Sequence, residues 1–262
     1  MFAMPYILGS RIDATSYAQV CDRLVACLAA GQYGYVVAAN VHVVMTAFWQ
    51  RQYQRIVNNA MIVTPDGMPL VWGLRLLGIK KQSRVYGPDL MLAWCDRAAQ
   101  ANLPIYLYGA TTETLTKLEQ NLRLQFPGLT IAGSYAPPYR SAISLAEVTA
   151  DVARINATKP AVVFVGLGCP KQEYWMVAAE MKLEAIAIGV GAAFDFHAGT
   201  VSQSPRWMMN LGLEWCYRFM QEPGRLWRRY LINNPMFVVL FGWQLLRRKL
   251  GFAKQGNRQT DR

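Results

Sequence analysis

The sequence predicts an α/β fold with a doubly wound, mainly parallel sheet and a C-terminal helical appendage. Over the first three-quarters of the 262 residues, short apolar segments alternate with longer amphipathic ones. This alternation is typical of chains that build parallel sheets with helical crossovers. Most of the short segments are apolar at every position, as expected for strands that helices cover on both faces.

The predicted strands and helices follow one another along the chain. The predicted strands are segments 6–8, 35–39, 61–63, 105–108, 130–133, 161–165 and 185–188. The predicted helices are segments 16–30, 42–58, 69–77, 88–101, 112–126, 145–157 and 170–181. This order favours a Rossmann-like sheet, in which ligands bind beyond the carboxyl ends of the strands.

The composition changes near Ser204, and this change predicts three regions. Residues 1–203 form the α/β core, and residues 204–250 form a basic, amphipathic, helical appendage that is rich in Trp and Arg. Pro223 and Pro235 each suit the first turn of a new helix in that appendage. Residues 251–262 are polar, and we expect a disordered tail.

Positive charge is concentrated at the end of the chain. The net charge is +11, and from Val201 onward eleven Lys and Arg stand against three acidic residues, which places +8 in that segment. Such a segment suits anionic lipid, nucleic acid or a phosphorylated substrate. Arg218, Arg225, Arg228 and Arg229 alternate with aromatic residues. The alternation fits either a solvated basic face or an interfacial helix, and the large apolar partners favour contact with an anionic membrane surface over nucleic acid.

Several features favour a cytoplasmic protein that binds a membrane peripherally. No apolar run approaches the roughly 18 residues of a spanning helix, and no basic cluster precedes the apolar start of the chain. Five cysteines without a C-x-x-C pair favour free thiols in a reducing compartment.

Polar residues and glycines cluster where the predicted strands end. They are Asn40, Asp66, Gly67, Gly109, Gly166, Gly168, Lys171, Gln172, Gly189, Gly191 and Asp195. Because the ends of parallel strands share one edge of a sheet, we expect these residues to line a common ligand site.

The segment from Val163 to Glu173 has the most informative local pattern. An apolar strand leads into Gly166-x-Gly168, and Pro170 opens a helix whose amides, with Lys171, suit an anion. A simple turn fits the glycines equally well. The spacing is neither the G-x-G-x-x-G of dinucleotide binding nor a Walker loop.

Three further residues suit a chemical role, a structural role or both. Asp66 lies in a Pro-Asp-Gly turn, where it could either accept backbone hydrogen bonds or serve as a general base whose pKa burial raises. Arg84 suits bidentate binding of a diphosphate. Asp89, directly after Pro88, is better explained by the start of a helix.

A series of short sequence blocks stands in a fixed order along the chain: Val37-Ala-Ala-Asn40, Thr64-Pro-Asp-Gly67 with Val71-Trp72, Arg84-Val-Tyr-Gly-Pro-Asp-Leu90, Leu107-Tyr-Gly109, Gly166-Leu-Gly-Cys-Pro-Lys-Gln-Glu173, Gly189-Val-Gly191 with Phe194-Asp195, Pro205-Arg-Trp207, Leu211-Gly-Leu-Glu-Trp215, Arg218, Glu222-Pro223 and Arg225. In these blocks and in their order, the chain resembles the WecG/TagA/CpsF glycosyltransferases over roughly residues 5–232.

The resemblance implies an inverting, metal-independent glycosyltransferase without a cofactor. Its donor would be a UDP-sugar carrying glucose, N-acetylmannosamine or the uronic acid of N-acetylmannosamine. Its acceptor would be a sugar on undecaprenyl diphosphate, in the synthesis of cell-surface polysaccharide, including exopolysaccharide. The absence of a D-x-D motif from the sequence agrees with metal-independent transfer.

The resemblance also implies roles for individual residues. Asp66 would be the catalytic base, with Asn40 beside it, and Arg84 and Gln172 would bind substrate. The appendage arginines Arg218, Arg225 and Arg228 would close over the diphosphate. Ala38 departs from the family pattern, since some members carry Thr there and this chain lacks that hydroxyl.

Two other function classes stay open at the level of sequence. One is a nucleotide-dependent oxidoreductase, which the missing dinucleotide fingerprint disfavours. The other is a non-enzymatic basic protein that binds a membrane or nucleic acid. The sequence also leaves homo-oligomer formation open.

Overall fold

A computed structural model describes residues 5–138 and 144–250 of the chain. The strands are β1 (Tyr6–Ile7), β2 (Ser10–Arg11), β3 (Gly34–Ala39), β4 (Ile62–Pro65), β5 (Ile105–Gly109), β6 (Ile131–Tyr135), β7 (Val162–Gly166) and β8 (Ile186–Gly189). Within these described residues, β3 to β8 form one parallel sheet in the order β4-β3-β8-β7-β5-β6. The predicted fold class is therefore confirmed.

Helices follow the strands and continue beyond the sheet. The helices of the core are α1 (Tyr17–Ala29), α2 (Val41–Trp49), α3 (Arg51–Asn59), α4 (Met68–Leu76), α5 (Gly87–Ala101), α6 (Thr112–Gln125), α7 (Leu145–Asn156), α8 (Lys171–Ala179) and α9 (Ala193–Ala198). The later ones are α10 (Arg206–Asn210), α11 (Glu214–Gln221), α12 (Pro223–Trp227), a π-helical turn (Arg228–Ile232) and α13 (Asn233–Lys249). The helix predicted over 42–58 is interrupted at Gln50, whose extended backbone separates α2 from α3.

Two hydrophobic clusters cover the two faces of the sheet. One contains side chains of α2, α3, α4, α7, α8 and α13, and the other contains side chains of α1, α5, α6 and α9. The neighbouring strands β3 and β8 lead into α2 and α9, which lie on opposite faces. Their loops therefore diverge and open a crevice at the carboxyl edge, the usual ligand position in a doubly wound sheet.

The predicted strand at residues 6–8 does not join the main sheet. Its residues form β1, which pairs antiparallel with β2 in a separate hairpin. Gln244 of α13 forms hydrogen bonds with two main-chain groups of that hairpin. Its Oε1 accepts from the Leu8 amide at 2.8 Å, and its Nε2 donates to the Tyr6 carbonyl at 2.8 Å.

The last helix packs on the core along one side and faces solvent along the other. Phe237 and Phe241 are buried, and Phe241 lies so close to Gly73 that a Cβ there would approach it to 3.3 Å. Within residues 5–138 and 144–250, no helix is both long and apolar enough to cross a bilayer. The predicted disordered tail, 251–262, lies outside those residues.

Candidate active site

A cavity of about 440 Å³ opens at the carboxyl ends of β3, β4, β7 and β8. The core contributes its floor through the loops that follow these strands. The appendage contributes a wall that consists of Met209, Gly212, Glu214, Trp215, Arg218, Glu222, Arg229, Tyr230 and Asn234. Of the predicted site residues, the cavity is lined by Asn40, Asp66, Arg84, Gly166, Gly168, Lys171, Gln172, Gly191, Asp195 and Arg218.

Asp66 is a buried carboxylate directly after β4. Its backbone amide donates to the Ala39 carbonyl at 2.8 Å, which holds the residue beside the end of β3. Its Oδ1 accepts from the Gly87 amide at 2.6 Å. Burial raises the pKa of Asp66 to about 6, and the negative charge of Glu214 also raises it, while Arg84 lowers it. A carboxyl group with this pKa can take up a proton near neutral pH.

Asn40 connects a helix start to this carboxylate. Its Oδ1 caps α2 by accepting from the amides of His42 and Val43, at 3.0 and 3.3 Å. A hydrogen bond from the Asn40 side chain is among the factors that lower the Asp66 pKa. Ala38 lines the cavity next to this pair, so the hydroxyl that some family members have at this position is replaced by a methyl group.

Arg84 is held on several sides by protein groups. Its Nε donates to the Asp66 carbonyl, and its Nη2 forms a 2.6 Å ion pair with Glu214 Oε2. The guanidinium also lies 3.9 Å from the centre of the Tyr86 ring. The Tyr86 hydroxyl in turn donates to Glu214 Oε1 at 2.9 Å. These contacts join the loop before α5 to the first residue of α11.

The loop after β7 presents glycines and a helix start to the cavity. Gly166 packs so tightly on Phe194 that a Cβ would approach that ring to 2.6 Å. Gly168 has φ +77° and open space around it on the cavity side. Helix α8 begins at Lys171, so its first amides point towards the same space, where they favour an anion.

Gln172 is buried between two other cavity elements. Its Oε1 accepts from the Gly191 amide at 3.1 Å, and its Nε2 donates to Glu173 Oε1 at 2.8 Å. Glu173 is fully buried, and burial raises its pKa. Gln172 therefore ties α8 to the loop after β8, whatever further contact it makes with a ligand.

Two appendage arginines line the cavity. Arg218 lies 5.6 Å from the Phe196 ring centre, and Arg229 contributes the other guanidinium. Both arginines share the cavity lining with Lys171, the first residue of α8.

Some predicted residues are not brought to the cavity. Gly109 ends β5, one strand away, and there its Cβ position would lie 2.7 Å from the Gly166 backbone. The lack of a side chain at Gly109 therefore allows β5 to pack closely against β7. Arg228 is exposed, with its guanidinium 5.1 Å from the Trp227 ring centre. The backbone of Arg225 belongs to α12, whereas its side chain lies outside the described part.

Sequence reasoning missed several residues that do line the cavity. Glu214, Tyr86, Arg229 and His42 all do so. His42 is half-buried, and desolvation with the nearby Arg229 charge lowers its pKa to about 3. Glu214 and Tyr86 both lie in sequence blocks that resemble the family. Their contact with each other depends on how α11 packs on the core, and the sequence does not show this. Among the described side chains, no three of His, Cys, Asp or Glu converge as a metal site.

The fold and the cavity define a class: an α/β protein whose ligand site lies at the switch point of a parallel sheet, with a buried acid and several cations. The profile of the Glycosyl transferase WecG/TagA/CpsF family matches residues 5–251. The chain belongs to this family.

Two relatives share a name. An N-acetylglucosaminyldiphosphoundecaprenol N-acetyl-beta-D-mannosaminyltransferase from Bacillus spizizenii is 33% identical over 206 residues, covering 78% of this chain and 77% of the relative. A protein of the same name from Bacillus subtilis is 32% identical over 201 residues, covering 76% and 75%.

Proposed function

We propose that this protein is an inverting glycosyltransferase that moves a sugar from a UDP-sugar to a sugar on undecaprenyl diphosphate. The observation that carries the proposal is Asp66, a buried carboxylate with a pKa of about 6, which shares its cavity with the α8 start and with Arg84, Arg218 and Arg229. Family membership and the names of both relatives support the same reaction class.

The proposed step is a single displacement. The acceptor hydroxyl oxygen forms a bond to the anomeric carbon of the donor while the bond from that carbon to the UDP oxygen breaks. The hydroxyl proton passes to the Asp66 carboxylate, which is why a pKa near neutrality suits the role. Attack from the face opposite UDP inverts the anomeric centre, which agrees with the beta linkage in the names of the relatives.

The departing UDP gains negative charge, and this chain offers several groups to stabilise it. Amides at the start of α8, Lys171, Arg218 and Arg229 all face the cavity. Positioned donors in a partly closed site lower the energy of a developing anion. We assign them the role that a divalent cation has in metal-dependent transferases.

N-acetylmannosamine is the first donor sugar to test, because both relatives transfer it. The corresponding acceptor is N-acetylglucosaminyl-diphosphoundecaprenol. Glucose and the uronic acid of N-acetylmannosamine are the other sugars that the family resemblance implies. The product would enter cell-surface polysaccharide synthesis.

The test measures UDP release by purified protein with each UDP-sugar, a short-chain prenyl-diphosphate N-acetylglucosamine acceptor, and EDTA. Wild-type protein should show acceptor-dependent turnover that survives EDTA. Asp66→Asn should lower it by about a thousandfold, since the amide cannot take the proton. Asp96→Asn, on the exposed side of α5, is the matched control and should retain full activity. Acceptor-dependent turnover that persists in Asp66→Asn would overturn the base assignment.

We further infer that the appendage holds the protein on an anionic membrane surface, at the inner face of the cell membrane. Apolar residues recur every three or four positions along the outward side of α13 and its flanks: Ile232, Met236, Val239, Trp243, Leu246 and Leu250. Arg247, Arg248 and Lys249 lie between the last two residues of this stripe, and Arg247 lies over the Trp243 ring. Apolar and aromatic residues with adjoining cations suit the headgroup region of a bilayer.

Vesicle flotation tests this location. The double variant Val239→Ser with Trp243→Gln should lose binding to vesicles that contain phosphatidylglycerol, while its turnover of a short-chain soluble acceptor stays unchanged. Leu124→Ser, which removes an exposed leucine from α6, should still bind. Equal flotation of all three proteins would argue against the α13 stripe as the membrane contact.

A further inference from the structure

We propose that Glu214 is a positioning residue for the reaction: it holds the Arg84 guanidinium away from the Asp66 carboxylate and fastens α11 over the cavity. This inference rests on the proposed function, because it assigns Asp66 the role of base. It concerns a residue of the appendage, whereas the base belongs to the core.

Glu214 makes two short contacts with the core from the first turn of α11. Its Oε2 pairs with Arg84 Nη2 at 2.6 Å, and its Oε1 accepts from the Tyr86 hydroxyl at 2.9 Å. The side chains of Arg84 and Glu214 are only 16% and 15% exposed. An ion pair shielded from water to this degree, with a second hydrogen bond, is geometrically far more restricted than a surface pair.

The Arg84 contacts determine what its charge does to Asp66. The Nε group donates to the main-chain carbonyl of Asp66, and Nη2 is directed to Glu214. The Asp66 carboxylate instead accepts from the Gly87 amide. Without Glu214, the nearest cation would be free to pair with the Asp66 carboxylate. Such a pair stabilises the ionised form and makes the carboxylate a weaker base.

The ionisable groups around Asp66 come from three elements. Arg84 and Tyr86 come from the loop before α5, Tyr17 from α1, and Glu214 from α11. Burial raises the pKa of Tyr17 to about 12 and that of Tyr86 further still, so both phenols stay neutral across the working range. Burial is the largest cause of the raised Asp66 pKa, and Arg84 and Glu214 are the charged groups that modify it, Arg84 downwards and Glu214 upwards.

The experiment compares the pH dependence of kcat/KM for wild-type protein and Glu214→Gln. The glutamine carbonyl can still accept from Tyr86, but the negative charge is lost. We expect kcat/KM at pH 8 to fall about tenfold, and the acid limb to move to lower pH by about one unit, because Asp66 becomes a weaker base. If Glu214 had only a structural role, kcat/KM of Glu214→Gln would be lower at every pH, and the acid limb of its pH profile would stay where it is in wild-type protein. That result would overturn the proposal. Glu113→Gln, on the exposed face of α6, is the matched control and should leave both unchanged.

Amide hydrogen exchange supplies a readout independent of turnover. In Glu214→Gln, exchange should accelerate at least several-fold in residues 83–90 and 213–221, and stay unchanged in α6. Unchanged exchange in both segments would overturn the fastening role. If wild-type protein releases no UDP with any donor and acceptor, the proposed function fails, and exchange still decides whether Glu214 secures the appendage.

Discussion

The Oε1 atom of Gln172 accepts a hydrogen bond from the backbone amide of Gly191 at 3.1 Å. This contact joins the helix after β7 to the loop after β8, two elements that leave the sheet towards opposite faces. A neutral side chain thus fixes the spacing between two elements that both line the cavity.

Replacing Gln172 with Leu removes that contact and leaves Glu173 Oε1 without its 2.8 Å donor. We expect the free energy of unfolding to fall by about 2 kcal/mol, because a buried carboxyl group loses one of its hydrogen bonds. The KM for the UDP-sugar should also rise. Urea denaturation and donor titration measure the two effects. Gln120→Leu on exposed α6 is the control, and a Gln172 variant as stable as that control would contradict the assignment.

The pH profile of the wild-type enzyme should reflect the Asp66 pKa of about 6. The base acts only when ionised, so kcat/KM should fall as the pH drops through 6 and should be about tenfold lower at pH 5 than on the plateau. Steady-state rates between pH 4.5 and 8.5 give this limb. A plateau that extends unchanged down to pH 4.5 would exclude Asp66 as the titrating base.

Two glycines with positive φ should respond differently to alanine. Gly109→Ala places a Cβ 2.7 Å from the Gly166 backbone at φ +124°, so we expect a loss of about 3 kcal/mol in stability. Gly168→Ala meets no neighbour, so strain alone should cost about 1 kcal/mol. Its methyl group enters the cavity and should raise the KM for the donor. Thermal melts and donor titrations distinguish these outcomes, and equal melting temperatures would contradict the packing argument.

His42 should make the protein less stable in acid. Its pKa is about 3 in the folded protein, lowered by burial and by Arg229, against 6.5 when unfolded. Between these values the unfolded chain binds the additional proton, so stability is lost as the pH falls from 6.5 towards 3. Relative to His42→Gln, wild-type protein should lose up to about 1 kcal/mol per pH unit in this window. Urea midpoints at pH 7, 6 and 5 measure the difference, and parallel curves would contradict it.

The sequence predicted the sheet well because its strands are continuously apolar. Segments such as 35–39 and 161–165 have no polar position, and only burial on both faces accommodates that pattern. The hairpin partner of β1 was not predictable in this way. Ser10 and Arg11 carry no strand pattern, and the hairpin depends on Gln244, which lies more than 230 positions away.

The site was predictable where it follows from topology. Asn40, Asp66 and Gly168 end parallel strands, so their meeting at one edge follows from the order of elements. Glu214 and Arg229 could not be placed, because their position depends on how α11 and the π-helical turn pack on the core. Gly109 also lies at the carboxyl end of a parallel strand, as Asp66 does. Its strand, β5, lies outside the group of strands whose ends border the cavity.

The contact between Gln244 and the β1–β2 hairpin has a consequence for synthesis on the ribosome. The amide of Leu8 is made more than two hundred peptide bonds before its partner Gln244. While the nascent chain grows, water has to hydrate the hairpin groups that Gln244 later satisfies. We therefore expect this corner of the molecule to be the last to become protected, only after α13 has left the exit tunnel.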